Sequence, residues 1–154
     1  MSLLGSMKYF LFAVVFLTSG IGRAQDASNQ TIQQIKREYN KIDAGAQHMR
    51  TVDKDLDNGS KGHMFYEGDD LRKAVFTYNA ETGKETDEFY FLKGKPLFSH
   101  TLRTLKKGGA VVENRYFFDN GHIVRWINTG GATVDQSKYA AKEQEILDEI
   151  KDLH

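Results

Sequence analysis

Apolar residues recur every three or four positions through Ile32, Ile35, Tyr39, Ile42 and Ala46. That spacing places them on one side of a helix, so the pattern predicts an amphipathic helix that ends near Gly45 and docks on a sheet. Thr31 and Gln34 have the form of a capping box at its start. The polar stretch from Gln25 to Gln30 before them is expected to be a flexible leader. From Met49 onward the period changes, and aromatic and β-branched runs are cut by turn residues about every eight to twelve positions, the rhythm of antiparallel strands. Strands are expected over 49–55, 62–66, 71–78, 86–92, 97–104, 110–118 and 122–128. Gly68, Gly83, Gly94, Gly109 and the pair Asn120-Gly121 mark the turns between the later ones. Asn-Gly supplies the positive backbone angles of a tight hairpin. Pro96, the single proline, falls where a strand begins and costs no central ladder bond.

Alternation along these strands assigns faces. Val112, Asn114, Tyr116 and Phe118 share one face, with Val111, Glu113, Arg115 and Phe117 on the other. In the last strand Ile123, Arg125 and Ile127 oppose His122, Val124 and Trp126. Neither face is purely polar, so both need cover. A second helix follows, which Asp135 or Ser137 can cap, with Tyr139, Glu143, Ile146, Ile150 and Leu153 at helical spacing. Lys142, Glu145, Asp148, Glu149 and Lys151 are assigned to its outer face. Three segments look alike: Glu88 to Lys95, Asn114 to His122 and, more weakly, His63 to Gly68. Each is an aromatic strand end running into a glycine turn, which suggests hairpins stacked in one sheet. The expected fold is therefore α+β: an antiparallel meander of five to seven strands flanked by an N-terminal and a C-terminal helix.

The first residues have a different logic. Lys8 precedes an unbroken apolar run from Tyr9 to Leu17, then come Thr18, Ser19 and Gly20, with Gly22 and Ala24 small where a signal peptidase reads. This is the layout of a secretory signal, with cleavage expected between Ala24 and Gln25. The chain divides accordingly into a signal peptide, 1–24, and a single domain, 25–154. The nine-residue run is far shorter than the roughly 20 residues that span a bilayer. The expectation is a periplasmic or secreted protein with no stable membrane insertion after cleavage.

Composition sharpens this in two places. The chain has no cysteine, so neither a lipidated thiol nor a disulfide holds it, and the core must suffice. It balances 21 basic against 21 acidic residues. Without the signal the balance tips slightly acidic, which gives no reason to expect a nucleic-acid partner. The basic patch from Arg103 to Lys107 reads as a solvated loop.

The candidate chemistry is thin. Asp53, Asp55 and Asp57 alternate as in a calcium loop, but Asn58 stands where glycine is required and Met64 where a bidentate glutamate is required. His48, His63, His100, His122 and His154 form no pair at zinc-site spacing. Mid-strand His100 points at an apolar face, and its neighbour Ser99 faces the opposite way, so the two form no dyad. No Gly-x-Ser-x-Gly elbow and no phosphate loop occurs. Asp69 and Asp70 share a turn where water keeps both ionised, and Glu85, Asp87 and Glu88 are read in the same way. No catalytic residue, metal ligand or cofactor is assigned.

The string from Asn114 to Ile127 resembles an N-R-Y-Y-F-D-N-G-K-L-I-R-W-I pattern of small exported bacterial proteins of unknown function, frequent in Bacteroidota. Tyr66 to Lys73, and Gly83 through Tyr90-Phe91, look like the same group. His122 stands where that pattern has lysine. The resemblance implies an envelope location and an aromatic β-hairpin array with terminal helices; it brings no catalytic residues.

Aromatic residues make up 12% of the chain and concentrate in the strands. Those not used in the core would form a binding surface. The expectation is a non-enzymatic exported binding module, of inhibitor or immunity type, that holds an envelope or secreted protein through Trp126, Tyr116, Tyr90, Tyr66 and His100. The alternatives are a hydrolase-like enzyme with a dispersed site and a structural or assembly component of the envelope.

Overall fold

The change of period at Met49 marks the join between a helix and a sheet. A computed structural model of the chain describes residues 20–153 other than Thr82, Lys107 and Gly108. Helix α1 spans Gly20–Gly45. Seven strands follow: β1 Arg50–Asp55, β2 Lys61–Glu67, β3 Asp70–Ala80, β4 Gly83–Leu92, β5 Lys95–Leu105, β6 Val111–Asp119 and β7 His122–Asn128. Helix α2, Tyr139–Ile150, closes the chain after a 3-10 turn, Gln136–Lys138, whose first N–H groups Asp135 caps by accepting from Ser137 N–H at 2.8 Å. Each strand pairs antiparallel with its sequence neighbour, giving one sheet in the order β1 to β7. This is the expected α+β meander. Among the described residues no helix is long and apolar enough to cross a membrane.

The start of α1 differs from the expectation. The helix runs through Gln25 to Gln30, which was expected to be flexible, and across the bond between Ala24 and Gln25. Thr31 consequently sits inside the helix and not at its cap. No proline interrupts this stretch, and extending an existing helix gains one hydrogen bond per residue fixed, so propagation is easier than a new start. Lys8 to Leu17 lie outside the described residues.

The helices cover opposite faces. On one, Ile146 and Ile150 of α2 and Tyr139 at its start pack on Ala74, Phe89, Phe91 and Phe118. On the other, Ile32, Ile35 and Ile42 of α1 pack on Tyr90, Leu97, Phe98 and Phe117. Phe91, Phe117 and Phe118 are at most 1% exposed, each contributing about 1.5–3 kcal/mol by burial. Glu143 fastens α2 to the sheet end, accepting from Ile123 N–H at 2.6 Å and meeting His122 Nδ1 at 3.0 Å.

The three similar segments are three equivalent hairpins, β2–β3, β4–β5 and β6–β7. Each carries a register shift just before its turn, at Phe65/Tyr66, Tyr90/Phe91 and Phe117/Phe118. The extra residue always lies on the second strand: Arg72, Leu97 and Val124. Lys93-Gly94 and Asn120-Gly121 form the tight turns with positive φ at both positions, as a two-residue hairpin requires. The bulge also corrects the face assignment in β7. Val124 is the inserted residue, so Ile123 joins Trp126 on the α2 side, and Val124 joins Ile127 on the α1 side.

Candidate functional site

Strand β4 begins at Gly83, three residues before its expected start at Thr86, and this lengthening builds the site. Alternation carries Glu85, Asp87 and Phe89 onto the α2 face, where Glu85 lies between Tyr78 and Arg103, and Asp87 between Phe76 and Thr101. Above them Lys142, Glu145 and Glu149 descend from α2. Between helix and sheet is a chamber of about 170 Å³. One side of it is apolar, formed by Phe89, Tyr116 and Ile146, and the other holds four carboxyls against two cations.

The cations are already engaged. The Arg103 guanidinium is hydrogen-bonded to Glu85, and Lys142 Nζ lies 2.6 Å from Glu145. Asp87 and Glu149 form no ion pair among the described residues. Asp87 is 6% exposed, and its Oδ1 is buried without a hydrogen-bond partner. Burial pushes its proton affinity up, against a hydrogen bond from Thr101 that holds it down. Glu149 keeps contact with solvent, yet burial of its carboxyl and the charges of Asp87, Glu145 and Glu85 push its pKa up to about 7. Burial raises Tyr78 to about 12 and raises Tyr116 as well, so both hydroxyls stay neutral near pH 7. Carboxyls held this way can take a proton or receive a positive group.

These residues overturn two sequence readings. Asp87 is not kept ionised by water in a turn; it is buried mid-strand. Lys142, Glu145 and Glu149 do not all face outward, because α2 sits over a polar part of the sheet and turns them to the rim. The signal was the alternation Glu85, Asp87, Phe89, in which two acids share the face of a core phenylalanine.

The five residues expected to bind a partner are dispersed. Tyr116 and Tyr90 are 3% and 4% exposed and belong to opposite cores. Tyr116 lines the chamber. Trp126 packs behind it, ring centroids 5.1 Å apart, and is fixed by its indole N–H donating to Asn114 Oδ1 at 2.9 Å. On the α1 side the Tyr90 hydroxyl donates toward Glu88 at 2.8 Å and Asp43 at 3.1 Å, beside the buried Lys73 that pairs with Asp43. His100 Nε2 meets Glu113 Oε1 at 2.9 Å on that same face. Ser99 lines the chamber on the other face, so the two neighbours do point apart. Half-buried Tyr66 lies under the Arg50 guanidinium, 4.4 Å from its ring centroid, in an open cleft near the end of α1. Only Tyr116 and Trp126 are brought together, and they form a wall, not an exposed patch.

Two of the three alternating aspartates are held in pairs. Asp53 lies 2.7 Å from His63 Nδ1, and Asp55 pairs with Lys61 across the β1–β2 hairpin. Among the described residues no group of three or more His, Asp or Glu side chains is placed to hold a metal ion. Compared with protein-family models, curated proteins and solved structures, the chain shows no match to any of them.

Proposed function

We propose that this protein is an exported binding module that holds a small ligand in the chamber between the sheet and α2. The observation that carries this reading is Asp87. A buried polar atom left without a hydrogen bond costs about 1–3 kcal/mol, and a ligand donor that satisfied Oδ1 would recover that cost. Perturbed carboxyls at a cavity wall are a usual mark of a functional site. The test is thermal denaturation against panels of small cationic, anionic and neutral compounds, with wild type beside Asp87→Asn. A compound that stabilises wild type and not the variant supports the reading, and no shift from any panel overturns it. Chemical conversion of the compound would move the protein to the enzyme alternative.

A protein partner is the second reading, favoured by β1. All six of its residues are exposed, and it has a strand on one side alone. Such an edge can receive another chain. Stoichiometric capture of one envelope or secreted protein, lost in Val52→Lys, would support this; capture that ignores the substitution would remove it. Export rests on the residues from Lys8 to Ala24 and on the resemblance to small envelope proteins. Protein recovered from the exported fraction should begin at Gln25, and recovery solely inside the cell with Lys8 retained would refute it.

A further inference from the structure

We infer that the ligand of this chamber is a small organic cation bearing N–H donors, held between Asp87 and Glu149. The inference rests on the chamber being the ligand site, and it follows from what the chamber lacks. Arg103 and Lys142 are each committed to one carboxyl, Glu85 and Glu145. Two carboxyls remain for two missing positive charges or two protons. An anion would meet this excess of negative charge at close range. A bare metal ion is disfavoured by the placement of the acids, which form no metal-holding group. An alkylammonium or alkylguanidinium satisfies both halves of the chamber. Its N–H groups reach the carboxyl side, where Asp87 lines the wall and has one carboxyl oxygen without a hydrogen-bond partner. Its methylene groups lie against Phe89, Tyr116 and Ile146. A volume of about 170 Å³ limits it to a molecule of a few heavy atoms or a single side-chain head.

Proton release follows from the same geometry. Glu149 takes up a proton near pH 7. Tyr78 from β3 and Tyr116 from β6 stay neutral, while Glu85 is paired with Arg103 and Glu145 with Lys142. Asp87 and Glu149 are therefore the groups that titrate against the ligand. A cation favours their ionised forms, so binding expels protons and tightens as pH rises.

The experiment is calorimetric titration of the purified protein with 1,4-diaminobutane and with methylguanidinium at pH 6 and pH 8, in buffers of different ionisation enthalpy. Tetramethylammonium, which lacks N–H donors, is the control. The expected result is binding about tenfold tighter at pH 8, for a linkage of about one proton, with net proton release and no binding of the control. Glu149→Gln should flatten the pH dependence, and Asp87→Asn should abolish binding. Because Glu149 lies at the rim of the chamber and not in the packed core, its variant remains informative if Asp87→Asn fails to fold. Absence of binding by both probes at both pH values overturns the inference, as does equal binding of tetramethylammonium. If instead an anionic or neutral compound stabilises wild type but not Asp87→Asn, the chamber is a ligand site and the cation inference alone falls. If no compound of any class does so, both fall.

Discussion

Glu149 binds its proton in the folded chain up to about pH 7, whereas an ordinary glutamate loses it near 4.5. Between those values the folded state holds more protons than the unfolded one, so stability falls as pH rises through the window. Melting temperature measured from about pH 5 to pH 8 should therefore decline in wild type and decline less in Glu149→Gln. Asp43 acts in the opposite sense and in a lower window. Its hydrogen bond from Lys73 holds its pKa below the usual carboxylate range, so its contribution is complete above about pH 4 and disappears in stronger acid. Asp43→Ala leaves the ammonium of Lys73, 8% exposed, with Glu88 at 4.0 Å as its nearest remaining carboxylate. The expected cost is about 2 kcal/mol in urea unfolding. Residues of this kind were poorly legible in the sequence. Asp43, Lys73 and Asp87 look like ordinary solvated charges, and what makes them different is a pairing or burial set by strands far away in the chain.

At the scale of elements the sequence says much more. All seven strands and both helices follow from periodicity and turn residues, because each hairpin depends on neighbours within a few residues of one another. Two of the departures have local causes. Helix α1 extends backward where nothing stops it, and the bulge at Val124 exchanges the faces of Ile123 and Val124, which a strict period of two cannot foresee. The repeated bulge also gives a prediction. Leu97 and Val124 pack toward α1, while the equivalent Arg72 has a buried Nε without a partner and a bond at 2.8 Å to the exposed Glu67. Arg72→Leu should raise stability by about 1 kcal/mol, because an exposed ion pair is worth little and an unpaired buried donor is costly. A lower denaturation midpoint for that variant would show that Arg72 has a role the repeat does not explain.

Across the whole molecule, β4 has three strands on either side, and helices cover both faces of the sheet. Protection of amides against hydrogen exchange should accordingly peak in β3, β4 and β5 and fall off toward β1, whose six residues are all exposed. Uniform protection across the sheet would contradict this gradient. The candidate site belongs to this scale too. The chamber needs β4, β5, β6 and α2 together, which is why no single stretch of sequence announces it.

The meander and its repeated hairpins have one more consequence. Since the chain passes from each strand to the next without a crossing, every hairpin is a cassette that begins and ends at neighbouring positions of the ladder. A copy of β4–β5 spliced in after Leu105 would continue the alternation of strand directions, and its bulge would serve both faces as its siblings do. The sheet can thus widen or narrow by whole hairpins without redrawing its topology, and the reach of α1 and α2 sets how many it can keep dry.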